Sequence, residues 1–378
     1  MKMIARQLMI YVGMFVFGCL SYGSDIPNIS ISVKPDPVYI ERSAGNQYLV
    51  FNFELLNNSS DSVQIIEIRM QAFDKENRLL LWDKVDSNGG RRSIEVLGPR
   101  ILEPGKSLTV FNPFSVLQAA VSIDHLNFKF LVAGSNHNSS SLSVDVKPVE
   151  YQQKTKLILP VVGSTVWAYE GGGFFSHHSR IDLTDTFTRD VLKMHQNNQR
   201  YALDLVIIDK NGEAFQGDMK KKENWVGFDF PIVAPAAGMV VETENNQPDE
   251  TPNDEELAAK DPKSMIGNYI VIDHQNGEYS VLAHFKRGTL TVKAGDQVKQ
   301  GQVIGHMGRS GMGFVLVHVH YQLQNSPDVF DSEALPFKFT GFRQIGSRAL
   351  QVGRINPGWV ILTEGVHGTA ELKNSAKF

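Results

Sequence analysis

Two histidines separated by one residue, His318 and His320, lie in an apolar, β-branched run that extends from Gly313 to Leu323. The run predicts a β-strand, and residues i and i+2 of a strand project from the same face. Two neutral imidazoles side by side suit a hydrophobic core poorly, because each ring nitrogen needs a hydrogen-bonding partner. They suit a metal site, where one imidazole is a ligand and its neighbour handles a proton. The alternative is an incidental pair on a surface strand.

The composition indicates a folded, β-rich protein of more than one domain. A length of 378 residues predicts two or three domains. A hydrophobic fraction of 42% and a charged fraction of 21% are ordinary for a soluble globular protein. The net charge of −4 and the lack of a basic stripe argue against nucleic acid as a partner. The 32 glycines and the scarcity of helical periodicity favour strands over helices.

The first 23 residues have the pattern of a secretory signal. A positively charged start precedes an apolar run from Leu8 to Leu20, and small residues follow it. The run is short for a membrane span, although an N-terminal anchor is an alternative. Cys19 is the only cysteine, and the residues before it resemble a lipoprotein cleavage box with a bulky Phe17. We therefore predict an exported protein of the periplasm, cell envelope or medium, with a lipid anchor at Cys19 as an alternative. The sequence does not predict the oligomeric state.

The predicted fold class is all-β, with two domains. Residues 24–150 carry short strands separated by turn clusters, which favours an immunoglobulin-like antiparallel β-sandwich. The predicted strands are 29–33, 47–53, 63–70 and 126–132. Residues 148–165 are interpreted as a linker, residues 151–345 as the second domain and residues 346–378 as a C-terminal tail.

An aspartate interrupts an apolar strand of the second domain. Asp204 lies within the run from Gln199 to Asp209, and a buried carboxylate is costly without a cation or hydrogen bonds. Arg200 or a metal ion could supply the partner. Further along the chain, the acidic segment 242–263 predicts a solvated loop between strands, and residues 267–285 predict a hairpin.

From Arg200 to Leu323 the sequence resembles the lysostaphin-like (LytM-type) zinc metallopeptidases, which cut peptide bonds in bacterial peptidoglycan. The matching segments are, in order, Ala202-Leu203-Asp204, Ala234 to Gly238, Gly267-Asn268-Tyr269, Ala283-His284, Gly295 to Gly305, Gly308 to Gly311 and His318-Val319-His320. The complete order carries the resemblance, because the glycine-valine block alone also fits biotinyl or lipoyl carrier domains. The resemblance implies a strongly bent antiparallel β-structure with its site in a groove.

The resemblance also implies a zinc site. In the family, Zn²⁺ is bound by a histidine, an aspartate and the second histidine of His-x-His, and the last two correspond to Asp204 and His320. The two other family histidines correspond to His318, assigned as the general base, and His284, assigned as the transition-state stabiliser, and the two roles can be exchanged. A zinc ion with three protein ligands keeps one position for water and lowers its pKa to about 7.

The first zinc ligand departs from the family pattern. The common pattern is His-x-x-x-Asp, but here Arg200 stands four residues before Asp204, and a guanidinium is a very poor metal ligand. Some members with Arg-Tyr-Ala-x-Asp carry paired histidines upstream, which resembles His177-His178 of this chain. We therefore predict His177 or His178 as the ligand, with His195 or no third ligand as the alternatives.

Three functions remain open at this point. The first is an exported zinc endopeptidase that hydrolyses peptidoglycan cross-links or another glycine-rich peptide. The second is a catalytically degenerate relative that binds cell wall or regulates a partner hydrolase, which Arg200 would explain. The third is a carrier or adhesin with no metal. A histidine that takes the place of the missing ligand would favour the first.

Overall fold

The N-terminal half is built from strands in which every second side chain is buried. In the strand His125–Gly134, the buried residues are Leu126, Phe128, Phe130 and Val132, and those between them are partly or fully exposed. This period of two is that of a strand with one face on a core. The structure is a computed structural model that describes residues 27–134, 138–312 and 316–363. The predicted signal segment 1–23 and its Cys19 lie outside the described residues.

The described residues before position 147 form eleven strands. They are β1 (Ile29–Lys34), β2 (Glu41–Ser43), β3 (Asn46–Tyr48), β4 (Asn52–Asn57), β5 (Val63–Phe73), β6 (Leu79–Asp86), β7 (Ile101–Leu102), β8 (Ser107–Phe111), β9 (Val116–Gln118), β10 (His125–Gly134) and β11 (Ser139–Val146). A 3₁₀ turn, Ser93–Leu97, lies between β6 and β7.

These strands form three antiparallel sheets around one core. The sheet orders are β1-β4-β8, β11-β10-β5-β6 with β7 paired to β5, and β2-β3-β9. Phe51, Phe53 and Phe128 meet edge to face inside the shared hydrophobic cluster, the arrangement that aromatic rings prefer. We call β1–β11 the N-terminal module. Its immunoglobulin-like topology stays a prediction.

The predicted strand 47–53 is two strands. β3 ends at Tyr48 and β4 begins at Asn52, and the backbone N–H of Leu49 donates to the carbonyl of Ser115 at 2.8 Å. The apolar run serves two different sheets, because the chain crosses from the sheet of β3 to the sheet of β4 at this point. A continuous hydrophobic pattern does not reveal such a crossing.

Thirteen strands follow residue 156 in the part of the chain that the structure describes. They are β12 (Leu157–Ile158), β13 (Thr165–Glu170), β14 (Leu203–Ile207), β15 (Pro231–Val233), β16 (Gly238–Glu244), β17 (Tyr269–Asp273), β18 (Tyr279–Ala283), β19 (Gln297–Val298), β20 (Val303–His306), β21 (Val319–Gln324), β22 (Phe339–Gln344), β23 (Gln351–Gly353) and β24 (Val360–Thr363). The helical pieces are α1 (Glu255–Lys260), a π-helical turn (Phe187–Val191) and 3₁₀ turns at Lys222–Asn224 and Pro262–Met265.

Most of these strands form one eleven-stranded sheet. Its order is β12-β22-β24-β13-β14-β21-β18-β17-β16-β19, with β23 paired to β22, and it curls into a half-barrel. Its pairs are antiparallel except for β12 with β22. The predicted all-β fold class is confirmed. β24 belongs to the predicted tail 346–378, yet it lies inside this sheet, between β22 and β13.

Two segments differ from the predicted local structure. Residues 313–315 of the predicted strand 313–323 lie outside the described residues, and in the described part the strand begins at Val319, which pairs with Leu205 of β14. The predicted loop 242–263 contains α1, which begins where the Asp254 carboxylate accepts hydrogen bonds from the N–H groups of Glu256 and Leu257, an N-cap. Within the described ranges, no helix has the length and apolar character needed to cross a membrane.

Candidate active site

Three adjacent strands bring together side chains that are far apart in the sequence. β21 lies between β14 and β18, and its His320 pairs with Asp204 of β14 and with Ala283 of β18. Directly opposite residues of antiparallel strands project from the same face. Asp204 and His320 therefore meet although they are 116 positions apart, and His284 follows Ala283 at the same end of β18.

Three imidazoles surround the Asp204 carboxylate. Nδ1 of His320 lies 3.0 Å from Oδ1, and Nε2 of His318 lies 3.7 Å from the same oxygen. Nε2 of His178 lies 3.6 Å from Oδ2. All four residues are buried. The structure thus gathers Asp204, both histidines of the His-x-His motif and one histidine of the predicted upstream pair.

His284 completes the group from the opposite side. Its ring centroid lies 4.6 Å from that of His318 and 5.9 Å from that of His320. Its Nδ1–H donates to the carbonyl of Ser310 at 2.8 Å. The backbone φ of His284 is +68°, which is uncommon for a residue other than glycine and recurs at functional sites. This conformation ends β18 and turns the ring towards His318.

The predicted alternatives for the first ligand occupy three different environments. His178 is buried against Asp204, and its ring also contacts that of His320 at 4.8 Å. His177 is exposed, but one of its ring nitrogens, one of His178 and a carboxylate oxygen of Asp204 all lie within 4.8 Å of one another, close enough to share a cation. His195 is exposed and lies beside Asp331, at 3.2 Å between Nδ1 and Oδ2. It does not join the group around Asp204.

Arg200 has no contact with Asp204. Its guanidinium is completely buried and donates from Nε to Glu333 at 3.1 Å and from Nη1 to Oδ1 of Asn52 at 2.9 Å. The hypothesis that Arg200 pairs with Asp204 is therefore not supported by the geometry. Arg200 instead joins the half of the chain after residue 156 to β4 of the N-terminal module.

Burial sets the protonation states of the site. It lowers the pKa of His178 and of His284 well below the usual histidine value, and it lowers that of His318 as well. Burial alone would raise the pKa of Asp204, but the surrounding imidazoles of His178, His318 and His320 outweigh it and hold this pKa well below its usual range. At neutral pH Asp204 is therefore a carboxylate and His178, His284 and His318 are neutral imidazoles, the forms that bind metals.

The hydrogen bonds of His320 favour a cation beside Asp204. Nε2 of His320 lies 2.8 Å from Oε1 of Gln322, whose amide nitrogen donates to Gln324 at 2.6 Å. Oε1 of Gln322 is thus an acceptor, and a neutral His320 carries its proton on Nε2. Its Nδ1 then presents a lone pair to the Asp204 oxygen 3.0 Å away. Two acceptors this close repel each other unless they share a cation, so His178, Asp204 and His320 fit Zn²⁺ as its ligands.

Two polar residues at the site are not marked by the sequence pattern. Gln322 accepts a hydrogen bond from His320. Gln322 follows His320 by two residues on one strand, and this spacing is a signal that could have identified it. Glu170 of β13 pairs with Asp204 in register, and its carboxylate lies 3.6 Å from Nδ1 of His177, whose pKa it raises. No sequence signal points to Glu170, because the pairing of β13 with β14 is a property of the tertiary structure.

Comparison with protein families matches residues 226–332 to the model of peptidase family M23. The matched segment includes His284, His318 and His320, whereas His178 and Asp204 precede it. The match confirms the resemblance predicted from the sequence. No curated protein matches the chain.

Several solved structures are similar to parts of the chain. A mutant catalytic domain of the prophage-encoded M23 protein EnpA from Enterococcus faecalis is 20% identical over 34% of this chain and 69% of its own, with a TM-score of 0.23. A peptidase M23 protein from Pseudomonas aeruginosa is 16% identical over 69% of this chain and 87% of its own, with a TM-score of 0.26. The SpoIIIAH and SpoIIQ complex contains a chain that is 21% identical over 48% of this chain and 96% of its own, with a TM-score of 0.27.

Proposed function

We propose that this chain, which contains a peptidase family M23 domain at residues 226–332, is an exported zinc metalloendopeptidase that hydrolyses peptide cross-links of bacterial peptidoglycan. The observation that carries the proposal is the buried set of His178, Asp204 and His320 with two further imidazoles, His284 and His318, beside it. Three ligands of this kind leave a zinc position open to water, as in hydrolytic zinc sites.

The ligand set assigns a role to each side chain. His178, Asp204 and His320 would hold the ion, and bound zinc would supply a Lewis acid that polarises the scissile carbonyl and acidifies a water molecule. His318 donates from Nδ1 to the carbonyl of Leu316 at 3.2 Å. A neutral ring with its proton on Nδ1 has Nε2 as its basic atom, and that atom lies 3.7 Å from Asp204. This geometry supports a role for His318 in accepting the proton of the attacking water and returning it to the leaving amine.

The contacts of His284 support the complementary role of transition-state stabiliser. Its Nδ1–H is committed to the Ser310 carbonyl, so the ring orientation is fixed before substrate binds. A fixed imidazole beside the reacting carbonyl can stabilise the oxyanion without reorganisation during the reaction. Because both rings have the same tautomer, the exchange of roles between His284 and His318 remains the alternative assignment.

The departure at Arg200 favours the degenerate relative as the second candidate. A chain without the histidine of the usual pattern can lose its metal and keep only a binding function. The position of His178 beside Asp204 supports the peptidase instead, because this ring supplies the nitrogen that Arg200 cannot. Export and action in the cell envelope follow from the signal-like segment 1–23 and belong to the same proposal.

Zinc content and peptidoglycan hydrolysis of the full chain test the proposal together. We expect about one zinc per chain and release of soluble fragments from purified peptidoglycan. His318→Ala should lose hydrolysis and keep zinc. The matched control is His306→Ala, which removes a partly exposed histidine that contacts Asp229 outside the site and should change neither value. A wild-type chain that takes up no zinc on reconstitution would overturn the peptidase and leave the degenerate relative.

A further inference from the structure

We propose that the N-terminal module is a structural part of the metal site, because it holds the segment that carries His178 in the position needed for binding. The proposal rests on the proposed zinc site. It concerns residues 171–185, called the His178 segment, which connect the end of β13 to the π-helical turn. It assigns Thr109, Phe111, Asn52 and Glu41 of the module as positioning residues.

The His178 segment has little regular structure of its own. Asp204 and His320 lie on paired strands, whose ladders fix their positions. Residues 171–185 form neither strand nor helix. Their internal backbone hydrogen bonds are those of turns, such as Ser176 N–H to Gly173 and Arg180 N–H to His177. A loop loses conformational entropy when it is ordered, so contacts from outside decide how well His178 is placed.

β8 of the N-terminal module holds the segment directly after His178. The hydroxyl of Thr109 donates to Oδ1 of Asp182 at 2.7 Å, and the same oxygen accepts the N–H of Thr184 at 2.9 Å. The guanidinium of Arg180 lies between the rings of Phe111 and Phe174, at 5.3 and 5.1 Å from their centroids. One ring belongs to the module and the other to the segment, so the cation joins them.

A buried ion pair holds the start of the segment. Arg354 donates to the Glu41 carboxylate of β2 and to the carbonyl of Gly172, and its guanidinium lies 4.1 Å from the centroid of the Tyr48 ring. Both charged residues are buried. A β-carbon at Gly172 would lie 2.9 Å from the carbonyl of Arg200, which shows how closely the segment approaches the chain before β14.

A chain of hydrogen bonds connects Asn52 of the module to the His178 segment by way of Arg200. The side chain of Asn52 accepts a hydrogen bond from Arg200, and the carbonyl of Arg200 accepts one from the Ser179 hydroxyl at 2.8 Å. Ser179 also accepts the N–H of Gly173, and Asn197 donates to the carbonyl of His178 at 2.9 Å. The residue at the usual ligand position therefore still serves the site, since it ties the substitute ligand to the module.

These contacts predict that zinc affinity depends on residues outside the peptidase half of the chain. Ligand-orienting contacts typically change metal affinity by about 10- to 100-fold when they are removed. The test is the full-length double variant Thr109→Val with Phe111→Leu, compared by chelator competition with wild type. We expect the zinc affinity of this double variant to fall about 10-fold or more. Thr109→Ser in place of Thr109→Val keeps the hydroxyl and should restore the share of the affinity that Thr109 contributes.

A matched double variant controls for damage to the module itself. Ser107→Ala removes a hydroxyl from the same strand, and Trp82→Leu removes an exposed aromatic ring of the module that stacks with Arg69 instead of Arg180. This control should bind zinc as wild type does. Thermal unfolding of both double variants restricts the comparison to folded protein, and the Thr109→Val single variant replaces the double variant if the latter does not fold.

Hydrogen exchange of the metal-free protein tests whether the module holds the His178 segment, independently of whether the protein binds zinc. The amides of the His178 segment should exchange faster in the Thr109→Val, Phe111→Leu variant than in wild type, and those of β14 and β21 should not. Unchanged exchange together with unchanged zinc affinity would overturn the coupling. A wild-type protein with no affinity for zinc would overturn the proposed function, and the exchange rates would still decide whether the module holds the segment.

Discussion

His320 donates from Nε2 to the side-chain oxygen of Gln322 at 2.8 Å, so the two residues form a pair on one face of β21. The pair continues to Gln324, whose amide nitrogen donates to the carbonyls of Ser326 and Asp328 at 2.7 and 2.9 Å. The chain of amides fixes which nitrogen of His320 faces Asp204. Gln322 is not one of the proposed zinc ligands, but it orients the His320 ring and should therefore affect metal binding.

Replacement of Gln322 should therefore weaken zinc binding. Gln322→Leu keeps the side-chain volume but leaves the His320 proton without its acceptor, and we expect zinc affinity to fall about 10- to 100-fold. Chelator competition measures the change. Gln344→Leu, on β22 and away from the site, is the matched control and should bind as wild type. Equal affinities for the two variants would contradict the role of Gln322.

Replacement of the candidate first ligands should separate them. His178→Ala should lose zinc, because the buried ring that faces the Asp204 carboxylate is removed. His195→Ala should keep zinc, because His195 is exposed and contacts Asp331. His177→Ala should have the smaller effect of the histidine pair, because its exposed ring lies beside Glu170. Metal analysis of the purified variants measures each outcome, and zinc retained in His178→Ala would exclude His178 as the ligand.

The acid limit of hydrolysis should lie below the ordinary pKa of histidine. The proton acceptor must be a neutral imidazole, and burial lowers the pKa of both His318 and His284. Protonation on acidification therefore occurs below about pH 6.5, and the rate should be maintained from neutral pH to that value and fall beneath it. A pH–rate profile measures this limit. Zinc content at each pH is the control, because loss of metal would give the same decline for another reason.

Removal of the buried Glu278 carboxylate should destabilise the protein in a pH-dependent manner. Its oxygens accept hydrogen bonds from the Tyr151 hydroxyl and the N–H groups of Lys154 and Thr155, each at 2.7 Å. Burial alone would raise its pKa, but these bonds outweigh burial and lower it. A lowered folded-state pKa means that the stabilisation is present above the unfolded pKa, about 4.3, and is lost as the pH falls through the folded value.

We expect Glu278→Gln to lower the free energy of unfolding by about 2 kcal/mol at pH 7. The difference from wild type should shrink below about pH 4. Urea unfolding of both proteins at pH 7 and below about pH 4 measures this difference in the free energy of unfolding. Glu256→Gln, which removes an exposed carboxylate of α1 paired with Lys260, should change stability little at either pH. A deficit that is the same at both pH values would show that the charge of Glu278 is not responsible.

Replacement of Arg200 should lower the stability of the protein, because Arg200 forms a buried ion pair and is not a metal ligand. Its side chain is completely buried, so Arg200→Met leaves Glu333 without its cation, and we expect about 3–5 kcal/mol of destabilisation. The double variant with Glu333→Met removes both charges and should recover part of this loss. Chemical denaturation of the single and double variants measures the recovery. If the double variant lost as much as the sum of the two single variants, the pair would not be coupled.

The sequence was informative wherever a single strand carried the information. The two-residue spacing of His318 and His320 and the placement of Asp204 in an apolar run indicated a metal site, and the order of motifs from Arg200 to Leu323 carried the family resemblance. Short strand-like runs separated by turn clusters, together with the scarcity of helical periodicity, predicted an all-β fold. These inferences hold because residues close in sequence share the geometry of one element, and that geometry is nearly independent of the rest of the chain.

The tertiary structure decided which histidine of the predicted alternatives lies beside Asp204, and which residues hold that histidine. His178 lies on a segment without regular structure, so no periodicity points its ring at Asp204, and the sequence alone left His177, His178 and His195 open. The pairing of Glu170 with Asp204 and the contact of Arg200 with Asn52 depend on which strands and modules meet. Such contacts depend on how distant parts of the chain pack. The sequence by itself therefore determined the chemistry of the site, and the packing of the two halves determined which residues complete it.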